Sequence, residues 1–170
     1  MKKRIVHLGD SIVAWNQNSP YQIFAIPGHT SLDMYWTLQN YPDLSGELVI
    51  FSLGVNDIVY HYPKEKSFET IQILLQILKK RFHHILITSL LPTDSIVENA
   101  SIQEYNLFLK KQGFPFLDMY SHFLDEKKER IAPQYTTDGT HLSHTGYARF
   151  NFWINKYVTN LFPLRYEPLT

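Results

Sequence analysis

Four short apolar runs, each closed by glycine or proline, constrain this chain more than any other feature. They are 4–8 (RIVHL, then Gly9), 21–26 (YQIFAI, then Pro27-Gly28), 47–53 (ELVIFSL, then Gly54) and 84–90 (HILITSL, near Pro92). Runs of this length between turn formers read as strands. A fifth, weaker strand is read at 114–119, where Pro115 removes one ladder donor. Helical spacing fills the gaps. Residues 31–40 form one helix. Residues 67–82 form another, with Ser67 as N-cap, an apolar stripe through Phe68, Ile71, Leu74, Leu75, Leu78 and Phe82, and Lys79, Lys80 and Arg81 in the last turn. A third covers 99–111. The last starts near Ser143 and carries Tyr147, Phe150, Ile154, Val158 and Leu161 on a face expected to pack on the sheet. Strands alternating with helices imply parallel pairing through right-handed crossovers. The unbroken apolar run LVIF fits a sheet covered on both faces. In such a sheet, ligands bind at the carboxyl ends of the strands.

The chain has 170 residues, which predicts one domain, assigned to 1–162, followed by a tail over 163–170. Sixteen Lys and Arg balance sixteen Asp and Glu, so there is no basic field to collect phosphates and no nucleic-acid partner is expected. Cysteine is absent, which excludes disulfides, thiolate catalysis and zinc–thiolate sites. The start, MKKRIVHLGDS, lacks a signal-peptide apolar segment, and no run approaches the roughly 18 apolar residues of a membrane helix. The expectation is a soluble cytoplasmic protein.

Polar clusters sit where strands end or helices begin: Gly9-Asp10-Ser11-Ile12, Gly54-Val55-Asn56-Asp57, and Asp138-Gly139-Thr140-His141-Leu142-Ser143. Each alone has a bland reading, as a helix cap, an ordinary loop or a surface pair. On one sheet rim they supply what acyl transfer needs. A serine hydroxyl is a poor nucleophile until a base takes its proton. The base needs an acid to hold its tautomer, and the oxyanion needs fixed donors. Ser11 is the candidate nucleophile, His141 the base and Asp138 the acid. The Ser11 and Gly28 backbone N–H groups and the Asn56 carboxamide are the candidate oxyanion donors. Asp10 and Asp57 are read as supporting the site loops by hydrogen bonds.

These blocks resemble the SGNH hydrolases, also called GDSL-type esterases and lipases, named for a Ser, Gly, Asn and His in four blocks. The four map onto Ser11 in GDSI, Gly28 in PGHTS, Asn56 in GVND and His141 in DGTHLS, and Asp138 matches the family's acid. The end of the fourth strand, Leu90-Leu91-Pro92, is also similar. The resemblance implies a three-layer α/β/α fold with a flavodoxin-like five-stranded parallel sheet of order 2-1-3-4-5. It also implies metal-free hydrolysis of carboxylic esters or thioesters through an acyl-enzyme, with no cofactor.

Two other readings stand beside this one. His141 and His144, three residues apart, with Asp10, Asn56, Asp57 and Asp138, could ligate a metal in a phosphoesterase, but the His-rich ligand blocks of such enzymes are missing and Ser11 is then unexplained. A non-catalytic flavodoxin-like binding module is the other. Trp15, His29 and Tyr60 follow the site turns and are candidate substrate-binding residues, with loop packing an equal reading for the rings. His7, inside the first strand, is read as a satisfied core histidine. The segment 122–137, with its DEKKER charge run, is read as a solvated turn or short helix. The expected partner is a small acyl ester. No GxSxG elbow, GxGxxG or P-loop competes.

Overall fold

A computed structural model describes residues 4–161. The sheet is built from β1 (Ile5–Gly9), β2 (Gln22–Ala25), β3 (Gly46–Ser52), β4 (Phe82–Thr88) and β5 (Phe116–Leu117), in the order β2-β1-β3-β4-β5. Every neighbouring pair is parallel. Side chains alternate across a strand, and β3 shows where they go. Val49 and Phe51 enter one core with Ile71, Leu74, Leu75 and Leu78 of helix α4 (Lys64–Arg81). Leu48 and Ile50 enter a second core with Phe150, Ile154 and Val158 of helix α6 (His144–Leu161). Helices α2 (Ser31–Gln39) and α5 (Ile96–Lys110) complete the α4 side through Met34, Leu38, Ile102 and Leu109. The result is the expected three-layer α/β/α arrangement, with both sheet faces dry.

After β1 the chain adds β2 on one side, then crosses to lay β3 on the other. The order therefore reverses between β1 and β3, and a crevice opens beyond their carboxyl ends. Two helices too short for periodicity to reveal follow those ends: α1 (Ser11–Ala14) after β1 and α3 (Val55–Val59) after β3.

Several boundaries differ from the sequence reading for physical reasons. Helix α4 begins at Lys64, not after a Ser67 cap. Pro63 stands at its N-cap with φ −57°, already close to the helical value, and Ser67 is buried inside the first turns. Helix α5 starts at Ile96, because Ser95 caps it by accepting the Glu98 N–H at 3.2 Å. The fifth strand shrinks to two residues, although the Pro115 carbonyl still accepts the Ile87 N–H at 2.9 Å. The segment 122–137 is not merely a solvated turn. DEKKER is a surface turn, but a Leu124–Ile131 bridge folds Phe123, Ile131 and Ala132 into the interior. Leu161, placed on the α6 stripe, is exposed. His7 is buried and donates or accepts at Nε2 with Ser52 Oγ (2.8 Å), yet its Nδ1 has no partner among the described residues. The tail expected over 163–170 lies outside the described residues. No helix among those described is long and apolar enough to cross a membrane.

Candidate active site

The carboxyl end of β1 leads directly into the candidate nucleophile. Asp10 caps α1, its carboxylate accepting the Ile12 N–H at 3.0 Å, and Ser11 is the first helical residue. The cap aims the start of α1 across the crevice toward the loop that precedes α6. There, Ser11 Oγ lies 3.1 Å from His141 Nε2, and His141 Nδ1 lies 2.6 Å from Asp138 Oδ2. An ionised carboxylate only accepts, so the Nδ1 proton is donated to Asp138 and Nε2 is left as an acceptor for the Ser11 hydroxyl. Hydroxyl, imidazole and carboxylate thus form one series.

The candidate acid and base, Asp138 and His141, are held locally. The Asp138 Oδ1 accepts the backbone N–H groups of His141 (2.7 Å) and Thr140 (2.9 Å). With the His141 side chain as the largest cause and those amides next, the Asp138 carboxyl is pulled down to about 2. Thr136 Oγ1 closes the loop by donating to the His141 carbonyl (2.7 Å) and accepting the Gly139 N–H (2.8 Å). Gly139 has φ +90°, and a side chain there would run into the Asp94 carboxylate, so this turn demands glycine.

Gly28 occupies the third place of a turn closed by His29 N–H to the Ile26 carbonyl at 3.2 Å. Pro27 sets the second position and Gly28 takes φ +80°, the pattern of a type II turn. Asn56, near the start of α3, donates one carboxamide N–H to the His29 carbonyl at 2.9 Å. A carboxamide carries two such hydrogens, so one remains for the crevice that Asn56 lines. Asp57, fully buried, accepts the Ser31 N–H at 2.7 Å and the Ser31 hydroxyl. It thereby ties α3, which carries Asn56, to the start of α2, which follows the Gly28 turn.

Ser11, Gly28, Asn56, Asp138 and His141 line one open crevice of about 380 Å³, with Trp15 and Tyr60. Trp15 is 50% exposed, and its ring centroid lies 4.5 Å from that of His141. Tyr60 is 56% exposed. The His29 side chain is not brought to the crevice. Its Nε2 pairs with Thr37 Oγ1 at 2.8 Å, and only its carbonyl serves the site. Asp10 stays behind Ser11, beside a separate hollow of about 30 Å³ that it shares with Ser52, Thr88 and Thr140. Burial pushes its carboxyl up to about 6. Glu98 and Thr140 also line the crevice and were missed by sequence reasoning. Glu98 was signalled only by the Ser95-x-x-Glu98 spacing, which reads as a helix cap. Among the described residues, no three His, Asp or Glu side chains converge to hold a metal ion.

The doubly wound sheet order with helices on both faces is that of the SGNH hydrolase fold. The chain belongs to the GDSL-like lipase/acylhydrolase family, which it matches over residues 6–149. Similar solved structures include a protein from Bacteroides fragilis described as an acylhydrolase (25% identity, TM-score 0.82, covering 94% of this chain and 88% of that one). A GDSL-like lipase from Bacteroides thetaiotaomicron is similar at 23% identity and TM-score 0.78, covering 94% and 89%. A catalytic mutant of an acetylxylan esterase from Geobacillus stearothermophilus shares the fold at 13% identity and TM-score 0.78, covering 92% and 94%. No curated protein matches the chain.

Proposed function

We propose that this protein is a metal-independent serine esterase that cleaves short-chain carboxylic esters, acetyl esters first among them, through an acyl-enzyme. The observation that carries the reading is the hydrogen-bonded series Ser11–His141–Asp138, at 3.1 and 2.6 Å. As the Ser11 oxygen bonds to the ester carbonyl carbon, its proton passes to His141 Nε2. The carbonyl electron pair moves onto oxygen, where the N–H groups of Ser11 and Gly28 and the free Asn56 N–H stabilise it. Collapse expels the alcohol, which takes the proton back from His141. Water then enters and repeats the sequence, releasing the acid and restoring Ser11. Asp138 stays anionic throughout and offsets the imidazolium charge. Family membership supports hydrolase chemistry. In the Geobacillus acetylxylan esterase, alanine variants of an Asp, a Ser and a His are catalytic mutants, the same three residue types.

The test uses 4-nitrophenyl acetate and a fluorophosphonate probe. Wild-type protein is expected to hydrolyse the ester and take up the label, with no change on adding a chelator. Ser11→Ala is expected to lose both. Labelling that persists in Ser11→Ala would remove the nucleophile assignment, and inactivation by the chelator would replace the mechanism with a metal-dependent one.

A further inference from the structure

Two capping sequences of the same type behave differently. At the start of α2, Thr30 and Asp33 complete a reciprocal cap: the Asp33 N–H bonds to Thr30 Oγ1, and the Thr30 N–H bonds to Asp33 Oδ2 at 3.0 Å. At the start of α5, Ser95 accepts the Glu98 N–H, but Glu98 does not reach back. The Ser95 N–H goes instead to Thr93 Oγ1 at 3.2 Å, and the Thr93 hydroxyl donates to Glu98 Oε2 at 3.0 Å. The Glu98 carboxylate is thereby released from its capping role and faces the crevice, which it lines. Its Oε1 makes no hydrogen bond among the described residues.

The side of the crevice matters. His141 must return its proton to the departing alkoxide, so the alcohol portion of an ester lies on the His141 side, away from Gly28 and Asn56. Asp94, just before the α5 cap, donates its N–H to the Gly139 carbonyl at 2.9 Å. This bond fastens the start of α5 to the loop that carries His141, and puts Glu98 on the alcohol side. Trp15 lies there too, against the imidazole. No Lys or Arg lines the crevice among the described residues. The hydroxyls of Thr140 and Tyr60, also at the crevice, make no hydrogen bond among the described residues.

We propose that Glu98 determines specificity for the leaving alcohol: its free carboxylate oxygen accepts a hydroxyl of a neutral, hydroxyl-bearing alcohol and repels anionic ones. An open carboxylate oxygen beside unpaired hydroxyls offers both an acceptor and donors. A polyol hydroxyl uses both, whereas a quaternary ammonium is drawn by the charge alone and has neither a proton for the carboxylate nor a lone pair for the hydroxyls. This assignment rests on the esterase reading above.

Four acetates that differ only in their alcohol test it: glyceryl monoacetate, ethyl acetate, acetylcholine and O-acetylglycolate. Wild-type kcat/KM is expected to be highest for glyceryl monoacetate, about tenfold above ethyl acetate, as one hydrogen bond to a charged group allows. It is expected to be lowest for anionic O-acetylglycolate. Glu98→Ala is expected to erase the glyceryl-to-ethyl ratio. Glu98→Gln keeps an acceptor oxygen without the charge, and is expected to reduce that ratio to about threefold while raising O-acetylglycolate. Ratios within one variant cancel any loss of folded protein. A glyceryl-to-ethyl ratio equal in wild type and Glu98→Ala, or a preference for acetylcholine, overturns the Glu98 assignment alone. Hydrolysis that does not exceed the Ser11→Ala background overturns the esterase reading itself.

Discussion

Asn56 illustrates how one side chain serves both structure and chemistry. Its carboxamide spends one N–H on the His29 carbonyl, which orients the group, and leaves the other for the oxyanion of the proposed mechanism. Asn56→Ala is therefore expected to lower kcat on 4-nitrophenyl acetate by roughly 10²–10³, the usual loss for one such donor. A fall of less than about tenfold, with the fold intact by circular dichroism, would take Asn56 out of the oxyanion role. Of the candidate site residues, those whose chemistry is written in a short block were legible: Ser11 after Asp10, Asn56 before Asp57, and Asp138 three residues before His141. Glu98 was not, because a carboxylate three residues after a serine reads as a cap, and only the competing Thr93 hydroxyl turns it outward. His29 was placed at the site by its neighbour Gly28, but a loop side chain follows whichever partner is nearest, here Thr37.

At the scale of elements, helix α6 shows how periodicity converts into stability. Phe150 is 2% exposed and packs with Ile154 and Val158 against the sheet, whereas Phe152, two residues on, is 57% exposed. Phe150→Ala is expected to cost about 3–5 kcal/mol in urea unfolding, and Phe152→Ala less than about 1 kcal/mol. Equal costs would mean that the α6 stripe is not what holds this layer. Long elements with a repeated pattern, such as α4 and α6, could be read from sequence because many residues vote for the same face. Helices α1 and α3 could not, since four or five residues complete barely one turn. The start of α4 was misplaced because Ser67 looks like a cap, while Pro63 does the entering and Ser67 turns inward.

Across the whole molecule, two buried groups set opposing pH dependences. Burial lowers His7 to about 3, so the folded state binds fewer protons than the unfolded one, and stability is lost as pH falls from about 6.5 toward 3. Burial raises Asp10 to about 6, so the folded state binds more protons, and stability is gained as pH falls from about 6 toward 4. From pH 7 to 4 the two contributions oppose each other. Asp10→Asn keeps a capping oxygen for the Ile12 N–H and removes the titration. It is expected to unfold at higher urea concentration than wild type at pH 7, and to lose more stability than wild type between pH 7 and pH 4. Parallel pH slopes for the two proteins would show that Asp10 is not the counterweight.

The Asp138–His141 pair is fixed by a turn of four residues, but Ser11 joins it across 130 positions of chain. A ribosome-bound chain that has not yet extruded this turn and the helix behind it carries the Ser11 hydroxyl without its His141 partner. On the proposed mechanism, hydrolysis begins only once synthesis has supplied the far end and the sheet has drawn both ends onto one rim. Under that proposal the nascent chain has no esterase activity, and onset of turnover marks completed assembly.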